Sequence, residues 1–221
     1  MSDAPKRPLR EARRIADALV RELGPACDRI ELAGSIRREC DVVADIEIVA
    51  VPLYDEEIDD RQVDLFGGEF SSARVIPVSL LWDRIEQASE GHARILPIKP
   101  GAPGRELDMK WAEKRRAGSR YYRLWLPKPR MKVDLFLADR DTWGAVFAIR
   151  TGCAEFSQAL VKRWTHVSGG HFKDGRVVAA DGVALDTPEE EDVFRACQLD
   201  WIPPELRNHG DIEAITRASH G

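Results

Sequence analysis

Cysteine is scarce. Cys27, Cys40, Cys153 and Cys197 are scattered along 221 residues, with no Cys-x-x-Cys pair and no histidine at zinc-ligand spacing. That excludes a disulfide scaffold and a zinc finger, and it reads as four small buried or idle thiols in a reducing cytoplasm. Long apolar runs are missing too, since nothing approaches the roughly 18 residues of a membrane span. The start, Met-Ser-Asp-Ala-Pro-Lys-Arg, lacks the apolar core of a signal peptide. A cytoplasmic protein with no membrane partner is the expectation. His166, His171 and His209 have no partner pattern and read as surface histidines, and there is no internal repeat or low-complexity segment. An excess of positive charge is also absent: the net charge is −5, which by itself argues against nucleic acid. The average hides a contrast, because Asp55 to Asp64 is acidic while Arg105 to Lys132 holds ten Lys/Arg against three acids. Affinity for a phosphate backbone follows local basic charge, so weak, salt-sensitive binding stays open.

With 43% apolar and 32% charged residues, the chain can build a sizeable core as one domain, or one domain with a small lobe. Residues 8–23 place Leu9, Ala12, Ile15, Ala16, Leu19 and Leu23 on one helical stripe, and Gly24-Pro25 ends it. The arginines outside that stripe read first as a solvated face. After Pro52 an acidic loop is expected, with an exposed Gly67-Gly68, then a helix over Val78 to Ala88. Ala93 to Ile98, Leu107 to Trp111 and Tyr121 to Leu126 are candidate strands, and Lys114 to Arg120 a basic loop. Tyr121, Tyr122 and Trp125 sit among the basic residues and could stack on bases, although core packing is the preferred reading. Met131 to Leu137 is an apolar strand carrying Lys132 and Asp134. Asp141 to Gly152 and Glu155 to Trp164 read as helices, the second with Phe156, Leu160 and Trp164 in line. Ser168 to Gly175 is a loop or hairpin, and Thr187-Pro-Glu-Glu-Glu191 a helix start with Thr187 as cap. Residues 208–221 read as a frayed end.

The chemistry concentrates in Glu31 to Ala50. Arg29 to Ala33 reads as a strand, Gly34-Ser35 as a tight turn, Ser35 to Glu39 as a helical turn and Asp45 to Val51 as a second strand. Side chains alternate along a strand, so Asp45 and Glu47 share a face while Ile46 and Ile48 point away. Two such carboxylates repel unless a cation lies between them, and Mg²⁺ fits their hard oxygens. The turn before them offers backbone N–H groups and the Ser35 hydroxyl for phosphate, with Arg37 and Arg38 beside it. Two acids on the solvent face of an edge strand and a Gly-Ser turn are also ordinary features, and the residues alone leave that reading open.

Gly34-Ser35, Arg37-Arg38 and the Asp45-Ile-Glu47 pair resemble the signature of the nucleotidyltransferase superfamily, and of its family X DNA polymerases in particular. Glu47 is a departure, since those polymerases usually carry Asp there. A two-metal site needs a third carboxylate, and Asp134 is the choice over two decoys, Asp64 in Arg61-Gln-Val-Asp-Leu-Phe and Asp108 in Glu-Leu-Asp-Met-Lys-Trp. Asp134 is preferred for the segment on its C-terminal side, a helical stretch ending at Thr151-Gly152, which resembles the family's helix and Thr-Gly at the start of the thumb. Ile149-Arg150 stands where two aromatics are usual, and Cys153 where Ser is usual. Leu199-Asp-Trp-Ile-Pro-Pro-Glu-Leu-Arg207 is closely similar to the ending of bacterial family X polymerases.

The resemblance covers about residues 10–207 and implies an α/β fold: a nucleotidyltransferase palm over 1–150 with a mixed sheet flanked by helices, then a small α+β thumb over 151–221. The N-terminal lyase and fingers region of the family is not expected. It implies a minimal DNA polymerase that adds deoxynucleotides to a primer 3′-OH, in repair or gap filling. Asp45, Glu47 and Asp134 would hold two Mg²⁺ ions (or Mn²⁺), with Lys132 near the primer end. Gly34, Ser35 and Arg38 would grip phosphates, and Thr151 and Gly152 would border the sugar and base. The implied partners are primer–template or gapped DNA and deoxynucleoside triphosphates. The protein is expected as a monomer, with room for a repair partner that supplies further DNA binding. The alternative is a template-independent nucleotidyltransferase acting on RNA, a protein or a small molecule. A non-catalytic nucleic-acid-binding relative, keeping the basic segment without a working metal site, is a third class.

Overall fold

The computed structural model describes residues 5–59, 74–92 and 120–212. The readings placed on Asp64, Gly67-Gly68, Ala93 to Ile98, Asp108, Leu107 to Trp111 and most of Lys114 to Arg120 lie outside these. The organising unit is a four-stranded mixed sheet in the order β2 (Cys27–Leu32), β4 (Asp45–Pro52), β8 (Arg130–Leu137), β7 (Tyr121–Pro127). Its two central strands, β4 and β8, run parallel, and each outer strand is antiparallel to its neighbour. Period-2 alternation sends Ile46, Ile48 and Ala50 of β4, Val133, Leu135 and Leu137 of β8, and Tyr122, Leu124 and Leu126 of β7 to one face. There they meet helix α1 (Leu9–Leu23), whose Ala12, Ile15, Ala16, Leu19 and Leu23 are buried, and Leu81, Trp82 and Ile85 of α3 (Leu80–His92). Burying each large aliphatic there is worth about 1.5–3 kcal/mol.

The opposite face divides along the strand direction. Val49, Val51 and Phe136 pack beneath Trp143 and Phe147 of helix α4 (Trp143–Thr151), while Asp45, Glu47, Lys132 and Asp134 occupy the other end. Helix α4 is apolar except at its end, where Arg150 is exposed, as suits an element between two layers. Its Ala145 and Ala148 join a second core with Phe156, Leu160 and Trp164 of α5 (Ala154–Ser168), Val177 of β10 (Arg176–Val178), and Val193 and Phe194 of α6 (Glu190–Ala196). The described residues thus form a mixed α/β fold with six helices, α2 being the single turn Gly34–Arg37.

Several expectations change. The stretch after Pro52 is strand β5 (Tyr54–Asp59), paired antiparallel with β6 (Arg74–Ser79), so its acidic start is not a loop and Val78 is not helical. Arg7–Pro8 (β1) pairs with Val42–Val43 (β3), an addition that two-residue strands do not announce in sequence. Thr187 does not cap α6. Glu189 does, in a reciprocal box with Asp192. Thr187 is instead strapped to the start of α4, its N–H on the Asp141 carbonyl and its own carbonyl accepting from Gly144, both at 2.7 Å. A Cβ at Gly144 would lie 2.0 Å from the Glu189 carbonyl oxygen, so glycine is what permits this approach. The frayed end begins later than 208, because Asn208 bonds to Arg38 and Ile212 is buried. Ser168 to Gly175 does contain a hairpin strand, β9 (His171–Lys173), paired with β10.

Candidate active site

Parallel pairing of β4 with β8 sets Asp45 opposite Lys132 and Glu47 opposite Asp134. The Lys132 ammonium lies between the two aspartates, 2.6 Å from Asp45 Oδ2 and 3.0 Å from Asp134 Oδ2. Burial works against the charge on Lys132, but hydrogen bonds to Asp45 and Asp134 outweigh it and hold the ammonium above its ordinary pKa. Asp134, 6% exposed, also accepts from the Tyr121 hydroxyl (2.6 Å) and Arg123 Nε (2.9 Å) through Oδ1. Burial would raise its pKa, yet these donors together with Lys132 pull it below the usual carboxylate range. Burial and the Asp134 carboxylate push the Tyr121 phenol up, so it remains a proton donor. Tyr121, Arg123, Lys132, Asp45 and Asp134 together form one charge-balanced cluster.

Glu47 stands apart. Its carboxylate lies against the backbone of Gly34, where an added Cβ would be 1.7 Å from Oε2. Gly34 has φ +59°, so the position requires glycine for conformation and for space. Burial first, then Asp45 and Asp134, raise the Glu47 pKa to about 7, against the opposing pull of Arg38 and Arg150. Among the described residues no three acidic, histidine or cysteine side chains converge on one point able to hold a metal ion. Asp45 and Asp134 do fit a cation, because their oxygens already meet on one positively charged atom. Glu47 would join them only after a rotamer change.

The basic pair after the turn divides its work. Arg37 is engaged with Glu190 through both terminal nitrogens (2.7 Å each), with the Thr151 hydroxyl (2.7 Å) and over the Phe147 ring. It ties α2 to Glu190. Arg38 reaches the Thr151 carbonyl (2.6 Å) and Asn208 (2.8 Å), and the Ser35 hydroxyl makes no hydrogen bond among the described residues. Thr151 is fully buried, and a Cβ on Gly152 would lie 2.5 Å from the Phe156 ring. Arg150 stacks on Phe136 at 4.0 Å, beside a cavity of about 330 Å³ lined by Arg120, Ile149, Phe172 and Lys173 among others. Trp125 and Tyr122 are buried, as the core reading expects, while Tyr121 is 38% exposed on the acid-bearing side.

Sequence reasoning missed Tyr121 and Arg123 as partners of Asp134, and Glu190 as the shared partner of Arg37 and Arg207. The alternation Tyr121-x-Arg123-x-Trp125 was a usable signal for the first pair. It needed the β7–β8 register, in which Arg123 faces Asp134.

Residues 147–208 match the family model described as DNA polymerase beta thumb. No curated protein matches the chain.

Proposed function

From this thumb, which makes the chain family X polymerase-like, we propose that it is a minimal DNA polymerase extending a primer 3′-OH with deoxynucleotides. One observation carries the reading: Asp45 and Asp134, on adjacent parallel strands, meet at a single cationic atom. Helix α4 leads from that sheet directly into the matched segment. The proposed division is a palm over 1–150 and a thumb from 151. Asp45 and Asp134, with Glu47 once turned from Gly34, would hold Mg²⁺ ions. Such ions supply activation of the attacking hydroxyl and neutralise charge on the triphosphate. The chain's own residues do the rest. Gly34, Ser35 and Arg38 would take phosphate oxygens through backbone N–H, hydroxyl and guanidinium donors. Lys132, displaced from between the aspartates, would remain beside the primer end as a counter-charge. Backbone at Thr151 and Gly152 would border the sugar and base. Gap filling in DNA repair suits a chain whose basic charge is local.

Arg150 on Phe136, where the family usually has an aromatic, favours a second reading, template-independent transfer to RNA, a protein or a small molecule. Primer extension separates the two. Purified protein with Mg²⁺ or Mn²⁺ and single dNTPs would be offered a primer–template, a one-nucleotide gap and a bare single strand at low salt, with Asp134→Ala as control. Insertion of only the complementary nucleotide is expected. Addition without regard to template would transfer the protein to the second reading, and wild type as inert as Asp134→Ala would overturn both for DNA.

A further inference from the structure

We propose that Tyr121 and Arg123 are positioning residues for Asp134: they pin its Oδ1 so that Oδ2 is the oxygen turned toward Asp45. The inference rests on the metal reading of Asp45 and Asp134. Strands β7 and β8 are antiparallel, with Arg123 directly opposite Asp134 and Tyr121 opposite Phe136. Arg123 Nε (2.9 Å) and the Tyr121 hydroxyl (2.6 Å) both donate to Oδ1, while Lys132 donates to Oδ2 at 3.0 Å and reaches Asp45 at 2.6 Å. The two oxygens of one carboxylate therefore have separate tasks. An aspartate carboxylate turns easily about its last torsion, and two donors on one oxygen remove that freedom. Tyr121 is itself fixed, its ring 5.2 Å from Phe136, which lies under Arg150.

The two pins differ in charge, which makes them separable. Tyr121 is neutral, so its hydroxyl holds Oδ1 without adding a charge that repels a cation. Arg123 carries a positive charge that repels an arriving cation, with its side chain 53% exposed. Losing Arg123 removes a pin and a repulsion together, and the two effects oppose each other.

The test is Mn²⁺ binding to the full-length, metal-stripped protein, followed by electron paramagnetic resonance of free Mn²⁺, with thermal melting as a fold control. Tyr121→Phe keeps the ring and deletes the hydroxyl, and it is expected to weaken Mn²⁺ binding about tenfold or more at an unchanged melting temperature. Arg123→Gln is expected to weaken it less. Tyr121→Phe protein that binds Mn²⁺ as tightly as wild type, or more tightly, overturns the inference. Asp134→Ala run alongside separates the two levels of argument. If it binds like wild type, the metal reading fails. If it loses tight binding while Tyr121→Phe does not, only the positioning role fails.

Discussion

Asp134 and Glu190 are almost equally hidden, at 6% and 5% exposure, and both have their pKa drawn down by cations against the cost of burial. Their surroundings differ. The partners of Asp134 are close in sequence and partly wet, with Arg123 53% and Lys132 16% exposed along the side chain. Glu190 instead ties Arg37 of α2, far back in the chain, to Trp201 and Arg207. Arg207 is fully buried, its guanidinium near the rings of Phe194, Trp201 and Phe156. Burial and the number of ion pairs thus do not tell these two carboxylates apart. What separates them is whether the partners can turn to water when the acid is taken by something else. Arg123, 53% exposed along its side chain, can, whereas Arg207 would be left as an unpaired charge in a core.

Truncating each acid breaks the comparison most sharply. On the proposed polymerase reading, Asp134→Ala should lower nucleotide addition about a thousandfold or more while thermal unfolding stays close to wild type. Parallel loss of stability would make Asp134 a structural residue like Glu190. Glu190→Ala should do the reverse, destabilising the fold by about 3–5 kcal/mol in urea unfolding. A cost under about 1 kcal/mol would mean that Arg37 and Arg207 find other partners.

Titration sharpens the contrast with signs that oppose. The Glu47 pKa in the fold is raised from 4.5 to about 7, so folding favours its protonated form. Its contribution is therefore complete below about pH 4.5 and lost as pH rises through about 7. Glu47→Gln should gain up to roughly 3 kcal/mol at pH 8 without metal, the gain shrinking toward pH 5. An equal gain at both pH values would assign it to packing. Glu190 is depressed below 4.5, so its contribution is present above that value and lost as pH falls through the folded one. Glu190→Gln should therefore cost stability at pH 7 and progressively less as the solution is acidified. The smallest effect belongs to an exposed pair, Arg140 with Asp28, where Arg140 is 75% exposed. Arg140→Ala should leave the melting temperature close to that of wild type.

The elements that build the two main cores were legible because their signals are local and periodic. The stripe over 8–23 became α1, Asp45 to Val51 became β4, Met131 to Leu137 became β8, and the Phe156, Leu160, Trp164 line became the buried face of α5. Cap chemistry misled at Thr187, where two backbone bonds to the start of α4 displaced the helix start to Glu190. Acidity misled at Tyr54 to Asp59, because a two-stranded ribbon need bury little of either face. The resemblance of Ile202 to Arg207 to a family ending fell within the matched thumb, and its physical content is now visible in Arg207 bonded to Glu190.

Strand alternation alone put Asp45 with Glu47, and Lys132 with Asp134, on single faces, since that depends only on neighbours two residues apart. It could not put the two pairs together. That required the parallel register of β4 and β8, which is set by contacts between residues some ninety positions apart. The same holds for rotamers and ion partners: Glu47 lies against Gly34, Arg37 pairs with Glu190, and Asp134 accepts from β7. Each is decided by which charges the folded chain brings within a few ångströms, and packing, not periodicity, makes that choice.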